Sequence, residues 1–338
     1  MPRLSIIPLK QDLSWQQILA NTINNTAELC SFLDLEDKLD SLPEDHPLLQ
    51  QFPLRVPAPY LGRIERGNLR DPLLLQVFPG ASEADAAPGY HPDPLEEAAS
   101  NPEPGVLHKY QGRALLLVTS SCAIHCRYCF RRHFPYNENL PGRQHWKQSL
   151  AYIKEDTSIS EVIFSGGDPL TLPDTYLEWF LEELSNFEHI KRIRLHTRLP
   201  IMIPQRITSS LVRILANPRF QTILVVHCNH AQEFDSAVDH ACQLLKQAGI
   251  TLLNQSVLLS GINDSATALI NLSQRLFEAG ILPYYLHMLD KVTGAAHFEV
   301  DEAAAIELMR ALQNALPGYL VPKLVRELPG EAAKTPVL

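Results

Sequence analysis

The stretch Arg113-Ala-Leu-Leu-Leu-Val-Thr119-Ser-Ser-Cys122-Ala-Ile-His-Cys126-Arg-Tyr-Cys129-Phe130 joins an apolar run to three cysteines. Residues 114–119 have the length and composition of a buried strand. The cysteines that follow are spaced C-x3-C-x2-C, which gathers three thiolates on one tight loop. Iron–sulfur clusters are ordinarily held by four cysteines, and structural zinc by four ligands. Three thiolates leave one metal position open for chemistry, so an enzyme is the leading reading. Two alternatives stay open at this point: a zinc knuckle completed by His125 or His133, and three unrelated thiols.

Downstream, the strand signal recurs at residues 161–165, 192–196, 222–227, 251–258, 284–288 and 320–325. Helical periodicity fills most gaps: Leu177, Phe180, Leu181 and Leu184 make one stripe, and Phe234, Val238, Ala241 and Leu245 another. Such alternation predicts an α/β fold with a parallel sheet and helical crossovers, either open and doubly wound or a complete or partial barrel. Polar residues with chemical potential follow the strands. The cysteine loop follows the first, Ser165-Gly166-Gly167-Asp168 the second and His227 the fourth. Barrel active sites are built at that C-terminal edge.

Upstream the pattern is irregular. Twelve of the 26 prolines lie between Pro43 and Pro104, and each removes an N–H and fixes φ. Ser14 with Gln17 predicts a capping box for a helix running to Cys30. Residues 1–105 read as a helical and irregular layer wrapped on the main domain, with residues 80–101 as surface loop. Residues 106–328 read as the main domain and 329–338 as a C-terminal tail.

At 338 residues and 45% hydrophobic, the chain can bury a sizeable core. A net charge of −9 with no long basic run argues against nucleic acid or an anionic membrane as bulk partner. The start, MPRLSIIPLKQDLSW, lacks a signal-peptide core, and no apolar run approaches the roughly 18 residues of a membrane span. Six cysteines without regular pairing point to a reducing cytoplasm, with Cys30, Cys228 and Cys242 as small hydrophobes.

With Tyr128 before the third cysteine, C-x3-C-x-aromatic-C resembles the signature of radical S-adenosylmethionine (SAM) enzymes. The resemblance implies a partial (β/α)6-type barrel in which Cys122, Cys126 and Cys129 hold a [4Fe–4S] cluster. SAM chelates the fourth iron in that superfamily, and reduction cleaves it to methionine and a 5′-deoxyadenosyl radical. Ser165-Gly166-Gly167-Asp168-Pro169 resembles the superfamily's glycine-rich motif for the SAM amino group. Asp168 stands where Glu is usual, a departure typical of the lysine 2,3-aminomutase family. His227 matches a position near SAM in that family.

The same resemblance implies further roles. Tyr110 and Arg113 match contacts to the phosphate of pyridoxal phosphate (PLP), and Gln255 matches another cofactor contact. Arg131 matches the partner of the substrate carboxylate, a task suited to a planar fork of donors. Pro329-Gly330-Glu-Ala-Ala-Lys334-Thr-Pro336 is similar to the family's Pro-Gly-Gly-Gly-Gly-Lys motif, whose lysine forms a Schiff base with PLP. Three of its glycines are absent, so the match rests on Pro329, Gly330, Lys334 and Pro336. Asp290 and Glu327 align with two acids that hold the substrate ε-ammonium, the second being Asp in typical members.

The resemblance spans residues 10–338 and implies conversion of L-lysine to (R)-β-lysine. Longer catabolic members carry a cysteine-rich zinc segment after the PLP lysine. This chain has no cysteine after Cys242, so a zinc-linked dimer of that type is not expected. Its short form resembles members that supply β-lysine for elongation factor P. That implies a functional link to the lysyl-ligating enzyme and to a reductant such as flavodoxin. The rival readings are a radical SAM enzyme without PLP, a catabolic aminomutase, and a zinc-stabilised or electron-transfer protein.

Overall fold

A computed structural model of the chain describes residues 13–36, 46–139 and 143–337, so residues 1–12 and 37–45 of the expected outer layer lie outside it. One sheet takes its nine strands in chain order: β1 (Val106–Tyr110), β2 (Arg113–Thr119), β3 (Glu161–Gly166), β4 (Arg192–Thr197), β5 (Gln221–Val226), β6 (Thr251–Val257), β7 (Leu282–His287), β8 (Lys323–Arg326) and β9 (Thr335–Pro336). Strands β2 through β8 run parallel, while β1 and β9 are antiparallel to their neighbours. Helices cross between successive parallel strands, including Asp174–Ser185, Ser236–Gln247, Ala266–Glu278 and Glu302–Ala315. The last three start under side-chain caps, where Asp235, Ser265 and Asp301 accept from N–H groups two or three residues on. The order leaves β1 and β9 at opposite ends, which makes this the expected partial barrel with an N-terminal layer.

Register explains which way the strands face. Leu116, Phe164, Leu195, Leu224 and Leu252 pair in one row across five strands, and all are buried beneath helices. Their neighbours along each strand point the other way, toward the barrel axis. The two apolar stripes read from the sequence are buried on their helices, apart from Phe234, which precedes its helix and is only partly buried.

Three expectations are corrected. The helix from Ser14 has its capping box but ends at Ala20, and a second helix, Thr26–Phe32, starts under Asn25. Between them Ile23 pairs with Val56, each N–H donating to the other's carbonyl at 2.9 Å, which takes the backbone out of helix. The last parallel strand lies at Lys323–Arg326 rather than 320–325, because Gly318–Leu320 forms a 3-10 turn. Residues 80–101 are not merely surface, since Glu83, Leu95 and Glu97 are buried. Strands β1 and β9 were not foreseen.

The outer layer and the barrel share one core: Trp15, Leu29, Val56 and Tyr60 pack in the same cluster as Leu116, Phe164 and Leu224. Among the described residues no helix is long and apolar enough to cross a membrane.

Candidate active site

The inward-facing residues surround a cavity of about 660 Å³. Strand β4 shows why it is polar: Ile193 and Leu195 are buried outward, whereas Arg192, Arg194 and His196 line the cavity. At the strands' N-terminal end, Glu161 accepts from Arg192 Nε at 3.0 Å and pairs with Arg194. Arg113 lies beside them in the lining, its guanidinium 4.5 Å from the Tyr110 ring centroid. Three guanidiniums against one carboxylate leave this end cationic.

The cysteine loop closes the opposite end, and Cys126 and Cys129 reach the lining. It is tied down from the outer layer. Arg127, fully buried, forks onto Glu83 (Nε–Oε1 2.7 Å, Nη2–Oε2 2.5 Å), and Arg132 Nη2 reaches the same carboxylate at 2.7 Å. A buried charge is tolerated only when paired and hydrogen-bonded, as Glu83 is. From β3, Gly167 N donates to Thr119 O at 2.6 Å and Asp168 N to Ser121 O at 2.7 Å. A Cβ on Gly166 or Gly167 would lie 2.3 Å from those same two oxygens, so only glycine permits this approach.

Desolvation pushes the Cys122 thiol well up and the Cys129 thiol up to about 11. Ligation would have to displace those protons. Of the two proposed fourth zinc ligands, His125 Nδ1 is 2.7 Å from Pro53 O with its ring stacked on Phe52, and His133 Nε2 is 3.3 Å from Thr293 O. Among the described residues no three His, Cys, Asp or Glu side chains converge as a single-ion site. A cubane binds each thiolate to a different iron, so three thiols on one loop would fill three irons and leave the fourth for an outside ligand.

Lys334 is carried in by β9. Pro336 pairs with Val325 and Thr335 with Arg326, and Val337 N donates to Leu324 O at 3.1 Å. This return places Lys334 Nζ in the cavity, 2.6 Å from Glu327 Oε2 and 5.9 Å from the Tyr285 ring centroid. Lys109 Nζ holds the other Glu327 oxygen at 3.1 Å and lies 3.3 Å from Glu97 Oε1. Glu97 in turn accepts both Nε (2.7 Å) and Nη2 (2.8 Å) of Arg131, whose Nη1 donates to Ser165 Oγ at 3.1 Å. A chain of alternating charge thus runs Arg131, Glu97, Lys109, Glu327, Lys334. Desolvation opposes charge on Glu327, but Lys334 and Lys109 outweigh it and hold the carboxyl at about 2. Desolvation, and then Glu327, pushes Asp290 up to about 7.

The structure therefore brings Tyr110, Arg113, Arg131, Ser165, His227, Gln255, Asp290, Glu327 and Lys334 to one cavity with two of the cysteines. Cys122, Gly166, Gly167 and Asp168 lie outside its lining. The Asp168 carboxylate is directed at its own chain, accepting from Thr197 Oγ1 and from the N–H groups of Leu170, Arg198 and Leu199. Buried Nε2 atoms of His196, His227, His287 and Gln255 have no hydrogen-bond partner among the described residues, and all four side chains line the cavity. Desolvation lowers the three imidazoles, His227 to about 4, so they stand neutral with free polar atoms. Sequence reasoning missed Glu97, Lys109, Arg192, Arg194, His196 and His287. The alternation R-I-R-L-H at 192–196 was a usable signal, because charge on every second residue of a central strand needs a polar interior.

Residues 116–212 match the family model of the radical SAM superfamily. The chain is 49% identical to an L-lysine 2,3-aminomutase of Escherichia coli, over 98% of this chain and 95% of that protein. It is 47% identical to one of Haemophilus influenzae, over 97% and 96%. It is 33% identical to one of Clostridium subterminale, over 96% of this chain and 77% of that protein. A solved radical SAM methyltransferase from Sphaerobacter thermophilus covers 65% of this chain and 68% of its own at 17% identity, with a TM-score of 0.45, too low to carry an argument.

Proposed function

We propose that this chain, which belongs to the L-lysine 2,3-aminomutase family of radical SAM enzymes, moves the α-amino group of L-lysine to the β-carbon. The product is (R)-β-lysine, and the groups required are a [4Fe–4S] cluster, SAM and PLP. The observation that carries the reading is the position of Lys334, which β9 returns into the same cavity that the cysteine loop closes. Bound together, the reduced cluster with SAM would supply a carbon radical by one-electron cleavage, and PLP would supply delocalisation for the migrating nitrogen.

The residues present fit those groups. Three same-loop thiols leave one iron for SAM. Lys334 offers a primary amine at the cavity wall, and the Arg113, Arg192 and Arg194 end offers cations for a phosphate. The unpartnered Nε2 atoms of His227 and Gln255 leave polar capacity facing the cavity. Arg131 would take the substrate carboxylate, and Asp290 with Glu327 the ε-ammonium. Two acids at that end discriminate against neutral and acidic side chains. A cavity lined by side chains on many strands would hold the reacting carbons in place.

The test is anaerobic incubation of reconstituted protein with L-lysine, SAM, PLP and dithionite, followed by chiral separation of the products. (R)-β-lysine is expected; its absence with an intact cluster would overturn the assignment. The product's destination is assigned to elongation factor P in the cytoplasm, through the lysyl-ligating enzyme and with an electron donor such as flavodoxin. Its support is the resemblance read from the sequence. Acid hydrolysis of elongation factor P from cells lacking this gene, with separation of the two lysine isomers, which share one mass, tests it: β-lysine should vanish, and its persistence would refute the link.

A further inference from the structure

Arg198, just past β4, is buried and has no role in the proposal above. Its guanidinium is fixed from several sides. Nη2 donates to Gln76 Oε1 at 2.6 Å and to Glu233 Oε2 at 2.9 Å, and the Tyr60 and Tyr128 ring centroids lie 5.8 Å from Cζ. Glu233 is itself held by the N–H groups of Asn229 (2.9 Å) and His230 (3.1 Å) and by Gln76 Nε2 (3.2 Å). The remaining edge of the fork points at the cysteine loop, where Nη1 donates to Cys126 Sγ at 2.8 Å. Its own backbone N–H donates to Asp168 Oδ2 at 2.7 Å, so one residue joins the loop to the glycine motif.

We propose that Arg198 sets the reduction potential of the cluster that Cys126 ligates. The proposal rests on the cluster reading above. A reduced cluster carries one more negative charge than the oxidised one. A cationic donor on a ligating sulfur therefore stabilises the reduced form more, and the effect is largest where water is excluded. Glu233 is the countercharge that moderates it. Removing Arg198 lowers the potential, and neutralising Glu233 raises it. A role confined to folding the loop predicts no such opposite pair of shifts.

The experiment uses anaerobically reconstituted full-length protein, with iron and sulfide measured first. Dithionite then supplies one electron per cluster in a potentiometric titration without SAM or PLP, and electron paramagnetic resonance reads the reduced fraction. Arg198→Met is expected to cut the reduced-to-oxidised ratio at fixed potential about tenfold, equivalent to about 59 mV for one electron. Glu233→Gln is expected to shift it the other way. Arg198→Met with a full cluster and an unmoved potential would overturn the proposal. Should that variant not assemble a full cluster, Glu233→Gln decides alone, and an unchanged or lower potential refutes the role. Wild-type protein without iron would instead overturn the cluster reading itself.

Discussion

At Gly167 a single methyl group decides whether β3 can meet the cysteine loop. The added Cβ would stand 2.3 Å from Ser121 O and 2.7 Å from Ser120 C, both backbone atoms that cannot rotate away. Gly167→Ala is therefore expected to cost about 1–3 kcal/mol and to spread the loop. Urea melts and iron content after reconstitution check this; wild-type values for both would contradict it. Asp290 and Glu327 act on stability in different pH windows. Glu327, held at about 2, adds stability above its unfolded value that is lost as pH falls toward about 2. Asp290, raised to about 7, takes up a proton on folding between roughly pH 4 and 7, so stability falls as pH rises through that window. Asp290→Asn should flatten the fall and stabilise the substrate-free protein at pH 8 by at most about 4 kcal/mol. Melts from pH 4 to 8 that keep the wild-type slope would exclude this.

Two residues of strand, Thr335 and Pro336, position the tail lysine. A chain ending at Lys334 keeps the lysine but loses β9 and its pairing to Val325 and Arg326. It is expected to melt within a few degrees of the full chain and to bind PLP about tenfold more weakly, read by absorbance titration. Undiminished PLP binding would remove β9 from the argument. A strand this short leaves no periodicity, which is why the sequence reads only as a tail. The central strands were legible for the opposite reason: Leu116, Phe164, Leu195 and Leu224 must be apolar to pack beneath the helices. β1 reads V-L-H-K-Y because it edges the sheet and turns Lys109 into the cavity, so its polar half hid it. The break after Ala20 escaped notice because it follows from Ile23 pairing with Val56, a contact 33 residues distant. Lys334, Asp290, Glu327 and Arg131 were singled out only through the resemblance to the lysine 2,3-aminomutase family, and all four line the cavity. Glu97 was not, because an acid in a proline-rich stretch carries no local mark of the guanidinium it meets.

Across the whole molecule, the charge chain joins the outer layer, β1, the cysteine loop, the end of β8 and the tail: Glu97, Lys109, Arg131, Glu327 and Lys334 come from five separate segments. Its arithmetic constrains when lysine can bind under the proposed function. Both Glu327 oxygens are already engaged, one by Lys109 at 3.1 Å and the other by Lys334 at 2.6 Å. A substrate ε-ammonium arriving there would be a third cation on one carboxylate, opposed by two like charges at close range. On the proposed reading, Glu327 becomes free for the substrate only when Lys334 leaves it, as engaging a cofactor carbonyl would require. In cofactor-free protein, Lys334→Ala should therefore bind L-lysine at least about tenfold more tightly than the wild type. L-norleucine, which lacks the ammonium, should gain nothing, and adding Glu327→Gln should cancel the gain for lysine. Isothermal titration of the three proteins with both amino acids makes the comparison. Equal lysine affinities for wild type and Lys334→Ala would show that the tail lysine does not occupy the substrate's place.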